Sequence, residues 1–170
     1  MKTSHLISFI ILLACLSVYS CSGSGKKGTY KIEKANFTIE APLFGGANST
    51  QAEHTLDLSA IKKELGLDDG EVKSAKLTKA TIYFQDSAST DMANSIVMSL
   101  AGDNVNMAQL AVANPLEAGK KEVVLTGSSE AEIAAFFNQT MMYIVLDVDL
   151  KNDSESTLIL TADLEFEIEF

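Results

Sequence analysis

Tryptophan and arginine are both missing from this chain of 170 residues; all 13 of its basic side chains are lysine, set against 23 acids for a formal charge of −10. Without arginine there is no bidentate fork to grip phosphate, and the acidic excess repels it. Nucleic acid is therefore excluded as a partner, and so is electrostatic docking onto anionic lipid heads. Both cysteines, Cys15 and Cys21, lie near the start, so no disulfide staples the rest of the chain and no thiol is left there for Cys–His catalysis. Beyond residue 21 the only histidine is His54, which rules out a His-rich zinc set. No serine sits in a Gly-x-Ser-x-Gly elbow. No motif calls for a cofactor, and none is expected. With Tyr30, Tyr83 and Tyr143 the only tyrosines after the leader, aromatic platforms for sugar rings are few.

What is present begins with an export address. Lys2 supplies a positive start, and residues 6–18 (LISFIILLACLSV) form an apolar run. That run suits a secretory signal but falls short of the roughly 20 residues of a membrane-spanning helix. Val18-Tyr19-Ser20-Cys21 resembles the lipobox of bacterial lipoproteins, which implies cleavage before Cys21 and a lipid on its sulfur. Leu12-Leu13-Ala14-Cys15 is a second match, so Cys15 is the alternative; it leaves a shorter apolar core and strands Leu16 and Val18 on the mature chain. The reading is residues 1–20 as leader, 21–28 as lipidated cysteine and flexible Ser/Gly/Lys tether, and 29–170 as one domain. Cleavage before Cys21 leaves 150 of the 170 residues, and losing Lys2 takes the charge from −10 to −11. A chain of that length buries about two thirds of its unfolded surface.

The domain reads as strands. Over 158–170, Leu158, Leu160, Ala162, Leu164, Phe166, Ile168 and Phe170 alternate with Ile159, Thr161, Asp163, Glu165, Glu167 and Glu169. Period two over that length predicts a strand with one buried and one wet face. Met142, Ile144, Leu146, Val148 and Leu150 repeat the pattern, and the polar 152–156 between the two predicts a hairpin. Ala80, Ile82 and Phe84 share a face while Ala75 and Leu77 have the opposite parity, which predicts a β-bulge near Thr78-Lys79 or a change of partner. Further strands are expected at Tyr30 with Ile32, Phe37 with Ile39 (one strand or a pair), Ile96 to Leu100, Val105 to Ala113, where Val105, Met107 and Leu110 edge a sheet, and Val123 with Leu125. Short helices are expected at about 59–65, capped by Ser59 and closed by Gly66, and at about 129–137, where Ser129 and Glu132 make a capping box and Ile133, Phe136 and Phe137 share a face. Seven to nine such strands predict an all-β, antiparallel β-sandwich, with a jelly-roll its leading form and a closed barrel the competitor.

Several residues are candidates for chemistry. Asp163, Glu165, Glu167 and Glu169 stand about 7 Å apart along one strand face, a ladder able to hold calcium, to supply glycosidase acids, or simply to keep an outer face soluble. Asp68, Asp69 and Glu71 are a calcium candidate lacking the full loop of an EF-hand. Leu43 and Phe44, in a loop after Pro42, are a candidate contact tip. His54 fits a packed, hydrogen-bonded role. Asp86-Ser87-Ala88 resembles the Asp-Ser/Thr-aliphatic acceptor for O-glycosylation of exported Bacteroidetes proteins, which makes Ser87 a candidate modification site.

The lipobox, the Ser/Gly tether and the run Thr55-Leu56-Asp57-Leu58-Ser59 into Lys62-Lys63-Glu64-Leu65 together resemble the small β-sandwich lipoproteins of unknown function common in Bacteroidetes. The resemblance implies an outer-membrane lipoprotein of the cell envelope, without saying which membrane face. The expected role is a non-catalytic binding or adhesion module for a glycan or protein. The alternatives are an accessory subunit of an envelope assembly and, last, a carboxylate-dependent glycoside hydrolase.

Overall fold

The computed structural model describes residues 25–86, 88–128 and 133–170. Nine strands are found there: β1 (Lys27–Ile39), β2 (Gly46–Thr55), β3 (Ser74–Phe84), β4 (Ala93–Gly102), β5 (Val105–Ala113), β6 (Glu122–Val124), β7 (Thr126–Gly127), β8 (Met141–Leu150) and β9 (Leu158–Glu169). They form two antiparallel sheets, ordered β1-β9-β3-β6 and β2-β8-β4-β5-β7. The chain changes sheet at nearly every connection, and only β4–β5 and β7–β8 stay within one. Setting aside the two-residue β7, this is the eight-strand order of a jelly-roll.

The alternating patterns became the two central strands. Every even residue of β8 from Met142 to Leu150 is buried, as is every even residue of β9 from Leu158 to Ile168. They do not form the expected hairpin. Strand β9 has β1 on one side and β3 on the other, while β8 has β2 and β4, so neither has a free edge for the other. The polar 152–156 segment instead carries the chain across the sandwich, fastened where Leu43 and Ser154 exchange backbone hydrogen bonds at 2.8 and 2.9 Å.

Parity changes in the sequence coincide with bulges. The β3–β9 register slips between Leu77 and Lys79, as expected from the switch at Thr78. The opening segment is one strand rather than two: β1 slips between Ile32 and Ala35, where Lys34 takes a φ of 56°. The slip lets Tyr30 and Ile32, then Phe37 and Ile39, all face the core. Strand β1 also starts earlier than a tether ending at residue 28 would allow. Lys27 and Gly28 pair with Glu169 and Ile168, and a Cβ on Gly28 would lie 2.5 Å from Ile61 Cγ2. Gly28 is thus bare for packing rather than for flexibility.

Three short helices fill the ends: α1 (Ser59–Glu64), α2 (Ala88–Met92) and α3 (Ala134–Phe137). Helix α1 begins after Leu58 without a side-chain cap, so the expected cap by Ser59 is not made; Asp57 Oδ1 accepts Ser59 N–H at 2.9 Å in the turn that leads in. It ends as expected at Gly66, with φ 62°. Helix α3 is shorter than 129–137, and its expected capping box lies outside the described residues; Ile133, Phe136 and Phe137 are all buried. Helix α2 has no counterpart among the helices expected from the sequence. At one edge the chain leaves β6 at Leu125, whose N–H bonds Ala80 O at 3.0 Å, and joins the other sheet as β7.

Candidate binding face

The two sheets divide the charge unequally. The strands of the β1-β9-β3-β6 sheet carry Lys27, Lys31, Lys34, Lys76 and Lys79 together with Glu33, Glu122, Asp163, Glu165, Glu167 and Glu169. The strands of the other sheet carry no lysine and only Glu53, Asp147 and Asp149.

On the first sheet the acidic ladder is answered from both sides. Strand β1 places Lys31 opposite Glu165, and β3 places Lys76 opposite Glu167 and Lys79 opposite Glu165. Lys27 Nζ lies 2.9 Å from Glu167 and 4.0 Å from Glu169, and Lys31 Nζ 3.2 Å from Glu165. The bond to Glu167 holds the Lys27 ammonium above its ordinary pKa. Asp163 Oδ1 accepts the N–H of Lys34 at the β1 bulge. These are solvated cross-strand pairs that keep the sheet soluble and its register defined.

The second sheet presents a different surface. Its outward rows read Glu53, Tyr143, Ala101; then Gln51, Val145, Ser99, Gln109; then Ser49, Asp147, Val97, Val112; then Ala47, Asp149, Ser95. The row through Val145 is uncharged, and the side chains around it are mostly small. The charges of the face are Glu53 on the edge strand β2 and Asp147 and Asp149 on β8; Ser49 Oγ donates to Asp147 and Asn94 Nδ2 donates to Asp149 at 2.9 Å. Met107 is 63% exposed beside this strip, and Ser99 at its centre is only 5% exposed. Depletion of charge with Tyr and Met present is the composition of an interface centre. Such a face can take the flat apolar side of a partner, with Gln51, Gln109 and Tyr143 offering hydrogen bonds at its rim.

The candidates read from the sequence do not converge on one place. Cys15, Cys21 and Ser87 lie outside the described residues. Of the contact tip, Leu43 is buried at 1% exposure and belongs to the core, whereas Phe44 is 65% exposed. Asp68, Asp69 and Glu71 are all exposed, and Asp69 Oδ1 accepts the N–H of Gly70 at 2.8 Å within its own turn. Among the described residues no three acids, histidines or cysteines gather as a metal set. His54 is half-buried and hydrogen-bonded to Tyr30 (Nε2 to Oη, 2.7 Å), with burial lowering its pKa. An open cleft of about 380 Å³ between the end of β5 and β6 is lined by Asn114, Glu117, Lys120 and Glu122, mostly exposed loop side chains.

No protein-family profile and no curated protein sequence matches the chain. Solved structures do. One from the Gx strain of infectious bursal disease virus superposes with a TM-score of 0.53 at 13% identity, covering 88% of this chain and 34% of that one. This chain therefore spans about a third of the viral chain it matches. The likeness shows the fold. Carbohydrate-binding modules from the β-sandwich superfamily match at a TM-score of 0.34 and 11% identity, over 80% of this chain and 55% of theirs. Cocksfoot mottle virus matches at 0.34 and 12%, over 86% and 84%.

This lysine-free face is not among the candidates that the sequence alone proposed. Its signal was there, in the absence of lysine from 93–113 and 141–150 and in Tyr143 and Val145 at the outward positions of β8.

Proposed function

We propose that this protein is a membrane-anchored lipoprotein whose jelly-roll is a non-catalytic binding module for a glycan or protein. The observation that carries the proposal is the lysine-free outer face of the β2-β8-β4-β5-β7 sheet, whose strands carry three charged side chains, Glu53, Asp147 and Asp149, against eleven on the strands of the other sheet. An acidic protein kept soluble by charge has no folding reason to thin it out on one sheet face; contact with a partner supplies one. The hydrolase alternative has less support. Glu165 and Glu167 sit side by side on one open strand, tied to Lys31 and Lys27. A glycosidase sets two acids on either side of a bond, with one kept protonated in a dry pocket.

The anchor is the lipid on Cys21, and six residue steps from there to Lys27 reach at most about 20 Å. The module then sits close to an outer membrane, β1 and its start nearest the lipid. Two measurements test the proposal. The first is protease shaving of intact cells, with a periplasmic protein as leakage control: cleavage places the ligand outside the cell, and survival until the outer membrane is breached places it in the periplasm. The second is glycan-array binding together with crosslinking from gently solubilised membranes. A saturable ligand is expected in one of them, and none in either contradicts a binding role.

A further inference from the structure

The two sheets have four outer edges, and three are blunted in the ways that keep sheets from adding strands. Strand β1 is broken by its bulge and carries Lys27, Lys31 and Lys34. Strand β6 is three residues long and follows Lys120 and Lys121. The far edge of the second sheet is β7, two residues long.

The fourth edge, β2, has none of these guards. Its ten residues, Gly46–Thr55, pair with β8 without a register shift. They contain no lysine, no proline and one charged side chain, Glu53. Among the described residues, the backbone of β2 bonds β8 on one side. On the other side the nearest strand, β1, makes no ladder with it; the links are through side chains, Thr50 Oγ1 donating to Thr38 O at 2.9 Å and the Tyr30–His54 hydrogen bond at 2.7 Å.

We infer that the β2 edge is a self-association site, at which a second copy of this chain adds its own β2 antiparallel to the first. A row of unpaired strand N–H and C=O groups is complementary to another extended backbone and to little else. A two-fold axis through the edge makes the contact closed and self-complementary. Face matching then limits the register. Residues directly opposite must lie on the same side of the sheet, and the fullest overlap of the two ten-residue strands then sets outward Gln51 against either Gln51 or Ser49 of the second copy. In the first register Glu53 faces Ser49, and in the second it faces Ala47; neither opposes two like charges. Antiparallel pairing also brings the end of the second strand toward the 65% exposed ring of Phe44 at the start of the first. The product is one continuous sheet across two copies, with both lysine-free faces on the same side.

The test is sedimentation velocity of the full chain in detergent over a concentration series, comparing wild type with Gln51→Lys, Phe44→Ser and Gln109→Lys. Gln51 and Gln109 are both exposed and outward, so lysine at either leaves the fold intact, as circular dichroism checks. Gln51→Lys sets two lysines opposite or diagonal to each other across the axis, while Gln109→Lys lies on β5, away from it. The expected result is a reversible dimer of the wild type, with affinity lowered about tenfold or more by Gln51→Lys, lowered less by Phe44→Ser, and unchanged by Gln109→Lys. A wild type that stays monomeric throughout, or a dimer indifferent to Gln51→Lys, overturns the inference. In a second variant, Gln51→Cys combined with Ser49→Cys, mild oxidation is expected to give a covalent dimer, because opposed strand residues stand within disulfide range. Absence of that crosslink under conditions where the dimer forms overturns the edge assignment.

Discussion

Phe166→Ala tests whether the centre of the sandwich is built as described. Phe166 is fully buried on β9, between Tyr30 of β1 and Leu77 of β3, and its ring meets Phe137 edge-on with centroids 5.1 Å apart. Removing it takes away the transfer free energy of an aromatic ring and leaves a cavity under α3, which two strands with fixed neighbours cannot close. The expected cost is about 3–5 kcal/mol. Since a domain of this size is stable by about 5–15 kcal/mol, that is a large share of the whole. With a urea dependence near 2 kcal/mol per molar, the unfolding midpoint should fall by about 2 M. Ile159→Ala on the same strand is the control: Ile159 points outward, is 41% exposed, and should cost less than about 1 kcal/mol. Helix α3 should loosen with the core, because four residues do not hold a helix without their buried rings. Equal losses from the two substitutions, or a Phe166→Ala cost below about 1 kcal/mol, would refute the packing argument.

Two further predictions concern Gly28 and His54. Gly28→Ala puts a methyl group 2.5 Å from Ile61 Cγ2, and should cost about 1–3 kcal/mol by displacing α1. Most of that cost should vanish in an Ile61→Ala background; a loss of equal size in both backgrounds would mean that the flexibility of the glycine, not its bareness, is what matters. His54 has its pKa lowered from 6.5 by burial, so the unfolded chain takes up its proton more readily than the folded one. Its contribution to stability is complete above about pH 6.5 and is lost as pH falls through the lowered folded-state value. Denaturation midpoints of wild type and His54→Gln, compared between pH 7.5 and 5, should show the wild type losing more; parallel profiles would contradict the assignment.

The alternation of β8 and β9 was plain in the sequence because a sandwich core needs one inward face per strand, and period two records that face. The bulge at Thr78 was legible for the same reason, since a slip of one residue reverses parity. Partners were not legible. The same alternation would suit a β8–β9 hairpin, and only the presence of β1, β3, β2 and β4 on either side excludes it. The acidic ladder showed as carboxylates alone because its lysines come from elsewhere, Lys27 lying 140 residues from Glu167. The binding face was hidden by the same physics: its rows join residues from four strands, β2, β8 and β4 giving four each and β5 two.

The most direct test of the central claim is to measure binding of the captured ligand by Val145→Lys alongside the double variant Glu165→Gln/Glu167→Gln. Val145 lies mid-face between Gln51 and Ser99, so a lysine there charges the proposed contact while leaving the core side of β8 unchanged. The account predicts that Val145→Lys abolishes binding in a protein that still folds, and that the double variant binds as wild type. Binding that survives Val145→Lys but is lost with the ladder acids would contradict it, and would move the site to the opposite sheet.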